Sequence, residues 1–227
     1  MNLFRISIFG FRIFRSVVAK SEEVKVSPHF WFRRMHSLAG VMPLGAFLLE
    51  HMFSNSFIVR GPEAYNAQIK FLSGLPYVLW LECLGIYLPI LYHAFYGIYI
   101  WLSGKNNAFT YPYRANWLYV LQRWTGLIAL AYIGYHVYET RVQNLLYGTE
   151  MSFEFMAKQM SNPSVFAIYI TGLAAVMFHF ANGLWGFLIS WGITVGDKAR
   201  KLSGWACASL GVLLFATGVN ALIHLVK

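Results

Sequence analysis

The chain has 227 residues, and 18 Lys plus Arg against 9 Asp plus Glu give a net charge of +9. Hydrophobic residues make up 58% and charged residues only 12%, about half the charged share of a soluble globular domain, so a soluble domain is excluded, and 18% aromatics exclude disorder. The basic excess therefore reads as membrane topology before it reads as a nucleic-acid surface, and no nucleic-acid partner is expected.

Met1 to Lys20 carries Arg5, Arg12, Arg15 and Lys20, and no acid comes before Glu22. Its longest uncharged run, Ile6 to Phe11, is too short for a signal-peptide core or a span. An amphipathic cytoplasmic extension over residues 1–30 is the expectation, with an Arg-rich transit peptide as the alternative. Residues 31–227 form the membrane domain. Five apolar runs there, roughly 35–59, 77–102, 117–145, 164–195 and 205–226, each reach the ~20 residues a helix needs to cross the hydrocarbon layer. Pro43 and Pro89 fall inside runs, where neighbouring helices can satisfy the freed carbonyls. Breakers separate the runs: Arg60-Gly61-Pro62, Gly104-Lys105-Asn106-Asn107, Asn162-Pro163 and Val195-Gly196-Asp197. The expected fold is all-α, an integral membrane bundle of five transmembrane helices. Cys83 and Cys207 both lie in apolar runs and make no disulfide framework, CxxC pair, zinc motif or iron–sulfur motif.

Five spans put the termini on opposite sides. With the N-terminus inside, thirteen of the 18 basic residues are cytoplasmic; only Arg60, Lys70, Arg141, Lys158 and Lys227 are outside. The positive-inside bias thus favours a cytoplasmic N-terminus.

His51, His93, His136 and His179 sit deep in the first four runs, one in each. An ionisable ring in hydrocarbon is costly and marks a functional site. At ~1.5 Å per residue, His51 and His136 lie roughly 10 and 14 Å from the outer ends of their spans, and His93 and His179 roughly 24 Å. Two heights result, each with two histidines on different helices. Such pairs suit a haem iron held between two imidazoles, so two haems b stacked across the bilayer are expected. Zinc is the rival, but it wants a third or fourth ligand at the same point. Gly97 and Gly183 stand four residues after His93 and His179, on the same helix face. They would leave room for a flat macrocycle, or for close helix packing.

Helical phase selects further residues. Arg33 shares the azimuth of His51 at ~100° per residue and would lie at the inner surface, with Arg34 and Arg123 at that level. They can meet haem propionates or act as ordinary topology anchors. His36, followed at the fourth position by Gly40, is the rival ligand; a propionate or interface role is preferred. Glu82 is about 20° from the azimuth of His93 and about 16 Å further out. It could exchange protons with a quinone, or be an interfacial acid bonded to a neighbouring helix. Glu50 and Glu139 share that outer level.

Several stretches carry a family resemblance. These are Arg33-Arg34-Met35-His36-Ser37-Leu38-Ala39-Gly40-Val41-Met42-Pro43-Leu44-Gly45, Leu91-Tyr92-His93-Ala94-Phe95-Tyr96-Gly97-Ile98-Tyr99, Leu121-Gln122-Arg123-Trp124-Thr125-Gly126, Phe178-His179-Phe180-Ala181-Asn182-Gly183-Leu184-Trp185 and Trp191-Gly192-Ile193-Thr194-Val195. From about Phe32 onward the chain resembles the di-haem cytochrome b (b558-type) anchor of bacterial succinate:menaquinone reductases, in the complex II and fumarate reductase family. The resemblance implies the ligand pairs His51/His136 and His93/His179, a place in the bacterial inner membrane, and electron transfer to menaquinone. It implies flavoprotein and iron–sulfur partner subunits that carry the FAD and the clusters. The chain would then be a subunit of an enzyme with no dicarboxylate chemistry of its own; a higher oligomer of the complex is compatible with it. Some fumarate reductases of the family carry a glutamate in the fourth helix. Here Val176, Met177, Phe178 and Phe180 surround His179, which tilts the reading toward succinate oxidation. The alternative is a di-haem anchor of another quinone-linked enzyme, such as a fumarate reductase, hydrogenase or formate dehydrogenase; a non-redox transporter or assembly factor is a third reading.

Overall fold

A computed structural model describes residues 27–227, so the expected amphipathic segment of the extension lies outside the described residues. The chain divides into two units, Met1–Arg34 and Met35–Lys227. In the first, Arg33 Nε–H donates to His29 Nε2 at 3.2 Å, and the Arg34 guanidinium lies over the Phe30 ring, 5.0 Å from its centroid.

The described residues are helical with no strand. We number the helices α1 (Pro28–Arg60), α2 (Pro62–Ser73), α3 (Val78–Ser103), α4 (114–147), α5 (Phe153–Met160), α6 (Pro163–Ser190) and α7 (Asp197–His224). Four of them, α1, α3, α6 and α7, are long and apolar enough to cross a membrane. α4, the third expected span, is long enough, but Arg114, Arg123, Glu139 and Arg141 make it more polar. It is held in the bundle by packing along α6.

The breakers act as the sequence suggests. Gly61 and Gly196 take positive φ of 96° and 84° just before α2 and α7. The Asn162 side chain accepts from Ser164 N–H at 3.0 Å to start α6. Pro43 follows a turn at Met42 inside α1, because its ring lacks a donor and crowds the preceding turn. α6 stops at Ser190, five residues before the apolar run does, since Gly192 turns left-handed at φ 71°. α7 begins eight residues before its apolar run, because the charged turn from Asp197 is itself helical. The short helices α2 and α5 lie between the apolar runs.

Apolar side chains take two destinations. On α3, Leu84, Leu88, Leu91 and Phe95 recur at three- and four-residue spacing and are each more than half exposed, the stripe a bilayer-facing helix presents. The buried core gathers at one end, where α1 finishes and α6 begins. There Met52 and Ile58 of α1, Tyr65 of α2, Met156 and Met160 of α5, Tyr169 and Leu173 of α6, and Leu222 of α7 pack together. Polar contacts close this cap: Asn66 Nδ2–H donates to Glu154 Oε2 at 3.4 Å, and Phe153 N–H donates to Asn66 Oδ1 at 2.8 Å. Burial pushes the Tyr65 phenol up to about 12.

Candidate metal centre

The four interior histidines meet in two pairs. The rings of His51 (α1) and His136 (α4) have centroids 5.7 Å apart, and those of His93 (α3) and His179 (α6) 6.1 Å apart. Two imidazoles that bind one metal from opposite sides, each with its nitrogen about 2 Å away, have centroids roughly 6 Å apart. Among the described residues no group of three or more His, Cys, Asp or Glu gathers for a metal. His36 stacks on His93 at 4.0 Å and 11°, and it precedes His51 on α1 by fifteen residues, about 22 Å of helix. The two pairs therefore stand at two heights, called inner (His93/His179) and outer (His51/His136) from the expected orientation.

The inner pair is built twice on one plan. His93 Nδ1–H donates to the His36 carbonyl at 3.0 Å; His179 Nδ1–H donates to the Gln122 carbonyl, also at 3.0 Å. A carbonyl only accepts, so the proton sits on Nδ1 and leaves the Nε2 lone pair for a metal. A Cβ on Gly40, four residues after His36, would lie 2.5 Å from His93 Cε1; one on Gly126, four after Gln122, would lie 2.8 Å from His179 Cε1. The same pattern returns at the expected macrocycle glycines. His36 Cε1 stands 3.3 Å from the Cβ position of Gly97, and Gln122 Nε2 stands 3.1 Å from that of Gly183. The glycines that admit the two inner rings are thus Gly40 and Gly126 on the facing helices, while Gly97 and Gly183 admit His36 and Gln122.

The side chains at the two equivalent positions then part. Gln122 Nε2–H donates to the His179 carbonyl at 3.0 Å, and its Oε1 accepts from Asn182 at 2.8 Å. His36 Nδ1 is buried with no hydrogen-bond partner among the described residues. Such an orphaned atom beside the inner pair fits a group bound there that offers it a partner. Arg123 is already engaged: its guanidinium donates to the Trp101 and Gly104 carbonyls and to Asn106 Oδ1 (2.6 Å). It satisfies carbonyls that the end of α3 would leave orphaned.

The outer pair is held by side chains. His136 Nδ1 meets the Tyr169 hydroxyl at 3.2 Å, and the His136 ring stacks on Tyr132 at 5.9 Å. Beyond His136 on α4, Arg141 Nη2–H donates to Glu82 Oε2 of α3 at 2.6 Å. Glu50 Oε1 accepts from Ser54 at 2.5 Å, and Glu139 Oε2 accepts from Gln159 at 2.8 Å. His224 Nδ1–H donates to the Asn220 carbonyl at 2.8 Å.

Sequence reasoning missed Gly126, Gln122, Tyr169 and Arg141. A signal for the first two was present: Gln122-x3-Gly126 repeats His36-x3-Gly40, with 57 residues separating each first member from its histidine partner. Nothing in the sequence tied Arg141 to Glu82, which is 59 residues away.

The fold and its interior define an integral-membrane α-helical bundle with two histidine pairs suited to hold metal at two heights. Residues 105–219 match the family model described as succinate dehydrogenase/fumarate reductase transmembrane subunit. The chain is 44% identical over 197 residues to the succinate dehydrogenase cytochrome b558 subunit of Bacillus subtilis (strain 168), a match covering 87% of this chain and 97% of that one. The chain belongs to the family of succinate dehydrogenase/fumarate reductase transmembrane subunits.

Proposed function

We propose that this chain is the membrane-anchor, electron-transfer subunit of a succinate:menaquinone oxidoreductase. The observation that carries the reading is the pair of imidazole pairs, 5.7 and 6.1 Å between centroids, on four different helices. The 44% identity to a cytochrome b558 subunit supports the cofactor class. Each pair would hold one haem b, His51 with His136 and His93 with His179. When bound, the two groups supply one-electron relay between the heights, from an iron–sulfur partner toward menaquinone.

The chain's own residues do the positioning. The His36 and Gln122 carbonyls fix the inner imidazoles in the tautomer that presents Nε2. Gly40 and Gly126 give those rings room. Arg33, Arg34, His36 and Arg123 are the residues we assign to the propionates, and Gly97 and Gly183 to close packing around the group. Glu82 is assigned to the menaquinone site. α2 and α5 contribute Tyr65, Met156 and Met160 to the buried apolar cap at the outer end.

Succinate oxidation takes place, in this reading, in a flavoprotein subunit carrying FAD, docked with the iron–sulfur subunit on the cytoplasmic side. The N-terminus lies on that side too, which places thirteen of 18 basic residues there. The decisive experiment is a visible spectrum of the dithionite-reduced, purified chain or complex. Two b-type haems per chain are expected; a colourless preparation ends the reading. A co-purifying covalent-flavin protein is expected as well, whereas nickel or molybdenum would point to a different enzyme.

A further inference from the structure

The inner cradle repeats along the chain. His36 and Gln122 stand eighty-six residues apart, and so do Gly40 and Gly126, His93 and His179, and Gly97 and Gly183. His51 and His136 fall one short of that spacing. The ring nitrogen lies 3.0 Å from its carbonyl in both copies of the cradle. Self-similarity at a fixed spacing marks an internal repeat. α1 with α3 therefore corresponds to α4 with α6.

The repeat makes α3 and α6 comparable residue by residue, and they differ on one face. On α6, Leu173, Met177 and Ala181 are 8%, 2% and 7% exposed, because α7 lies on them. α7 comes close through its glycines. A Cβ on Gly204 would stand 3.2 Å from Trp185 Nε1, one on Gly211 2.7 Å from Ala181 Cβ, and one on Gly218 2.7 Å from Leu173 Cδ2. The α3 counterparts of Met177, Ala181 and Trp185 are Leu91, Phe95 and Tyr99, and these are 53%, 70% and 50% exposed. Among the described residues no helix covers this face as α7 covers α6. The sequence holds no further candidate. Its five apolar runs are already helices of the bundle, and Met1 to Lys20 contains no run of spanning length.

A complementary face stands on α7 itself. Ser209 and Ala216 precede Gly211 and Gly218 by two positions, so they lie about 200° round the helix, turned away from α6, and both are exposed. In lipid, helices associate by close packing, and small side chains permit the approach. The heights agree as well. Counted from the inner ends, Ser103 and Asp197, Leu91 and Ser209 each lie twelve residues in, about 18 Å. Leu84 and Ala216 each lie nineteen residues in, about 28 Å. Further out, Trp80 and Asn220 lie at one level, an indole N–H opposite an amide oxygen, and both residues are exposed. Two α3 helices set face to face would instead meet large side chain on large side chain and stay apart.

We propose that α3 of one copy docks against the outward face of α7 of a second copy of this chain, so that α7 does for its neighbour what it does for its own α6. The two faces are different surfaces, so the contact is head-to-tail and closes into a ring. This goes beyond the electron-transfer reading and does not depend on what the histidines hold.

The test uses the whole complex in its native membrane. Leu91→Cys and Ser209→Cys in one chain put a thiol on each face. Mild oxidation is expected to link that double variant into dimers and larger species on a non-reducing gel. Either single variant should link no more than the parent, whose Cys83 and Cys207 set the background. The second measurement is the mass of the complex extracted with its surrounding lipid. The parent is expected at a multiple of the one-chain mass, and Leu91→Ala with Phe95→Ala at a single copy with haem per chain unchanged. Should that variant fail to assemble, the cross-link alone decides. A parent that runs as one copy, or a double variant that links no chains, overturns the proposal. Linking by Leu91→Cys alone overturns it too, since that sets α3 on α3 or on a foreign helix. Absence of haem in the parent would sink the electron-transfer reading and leave the ring standing.

Discussion

The main chain holds the inner imidazoles, while side chains surround the outer ones. At the inner height, two carbonyls in the middle of helices, those of His36 and Gln122, take the Nδ1 protons of His93 and His179 at the same 3.0 Å. At the outer height, His136 meets a hydroxyl, the Glu82–Arg141 pair spans α3 and α4, and two π-helical segments interrupt the α geometry. A backbone carbonyl in a helix cannot move without unwinding it, and no substitution removes it. A Tyr hydroxyl or an ion pair can rearrange. The inner rings are thus held by main chain, and His136 of the outer pair by a side chain that can change rotamer.

The largest effect that would test this contrast is removal of a ligand. His93→Ala is expected to abolish the inner haem and to lower the yield of assembled complex; haem counted per chain should fall from two to one, and full occupancy would break the assignment. Next is overfilling the inner cradle. Gly126→Ala sets a methyl group 2.8 Å from His179 Cε1, and forced overpacking of this kind costs about 1–3 kcal/mol. Reduced inner-haem occupancy or a shifted low-temperature spectrum is expected, and Gly40→Ala should behave alike because the cradle is duplicated.

A smaller effect compares the two kinds of support. Tyr169→Phe removes the partner of His136 Nδ1, and losing such a support typically costs about 10- to 100-fold in metal affinity. Gln122→Ala leaves the Gln122 carbonyl in place, so the His179 tautomer should survive. In a redox titration the outer potential should move in the first variant, and the inner potential should move less in the second. Equal shifts would erase the distinction between main-chain and side-chain support.

The smallest effect lies in the cap. Backbone N–H donation at the start of α5, then Ser152 and Asn66, hold the exposed Glu154 carboxyl below its ordinary value. A depressed folded value means this contribution is present above the unfolded value of 4.5 and fades as pH falls through the lower folded one. Thermal melts of the parent and Glu154→Gln should differ slightly at neutral pH and converge in acid.

Much of this molecule was legible before folding. Hydropathy shows the long apolar runs, and axial rise puts His51 with His136 and His93 with His179, the pairs whose rings meet. Azimuth turned Glu82 inward but gave no partner for it. Glycine spacing drew attention to Gly97 and Gly183, although the glycines beneath the inner rings belong to the facing helices. Apolar windows do not register polar helical turns, so α2 and α5 fall between the apolar runs and α7 begins before its run does.

The sequence by itself determined depth and direction along each helix, because rise and turn per residue are properties of one helix alone. Only the tertiary structure decided which helices face one another, and so that Arg141 reaches Glu82, that His36 stacks on His93, and that Gly40 and Gly126 receive the inner rings. Those contacts join residues about 57 positions apart, and packing between helices, which no single-helix periodicity encodes, sets them.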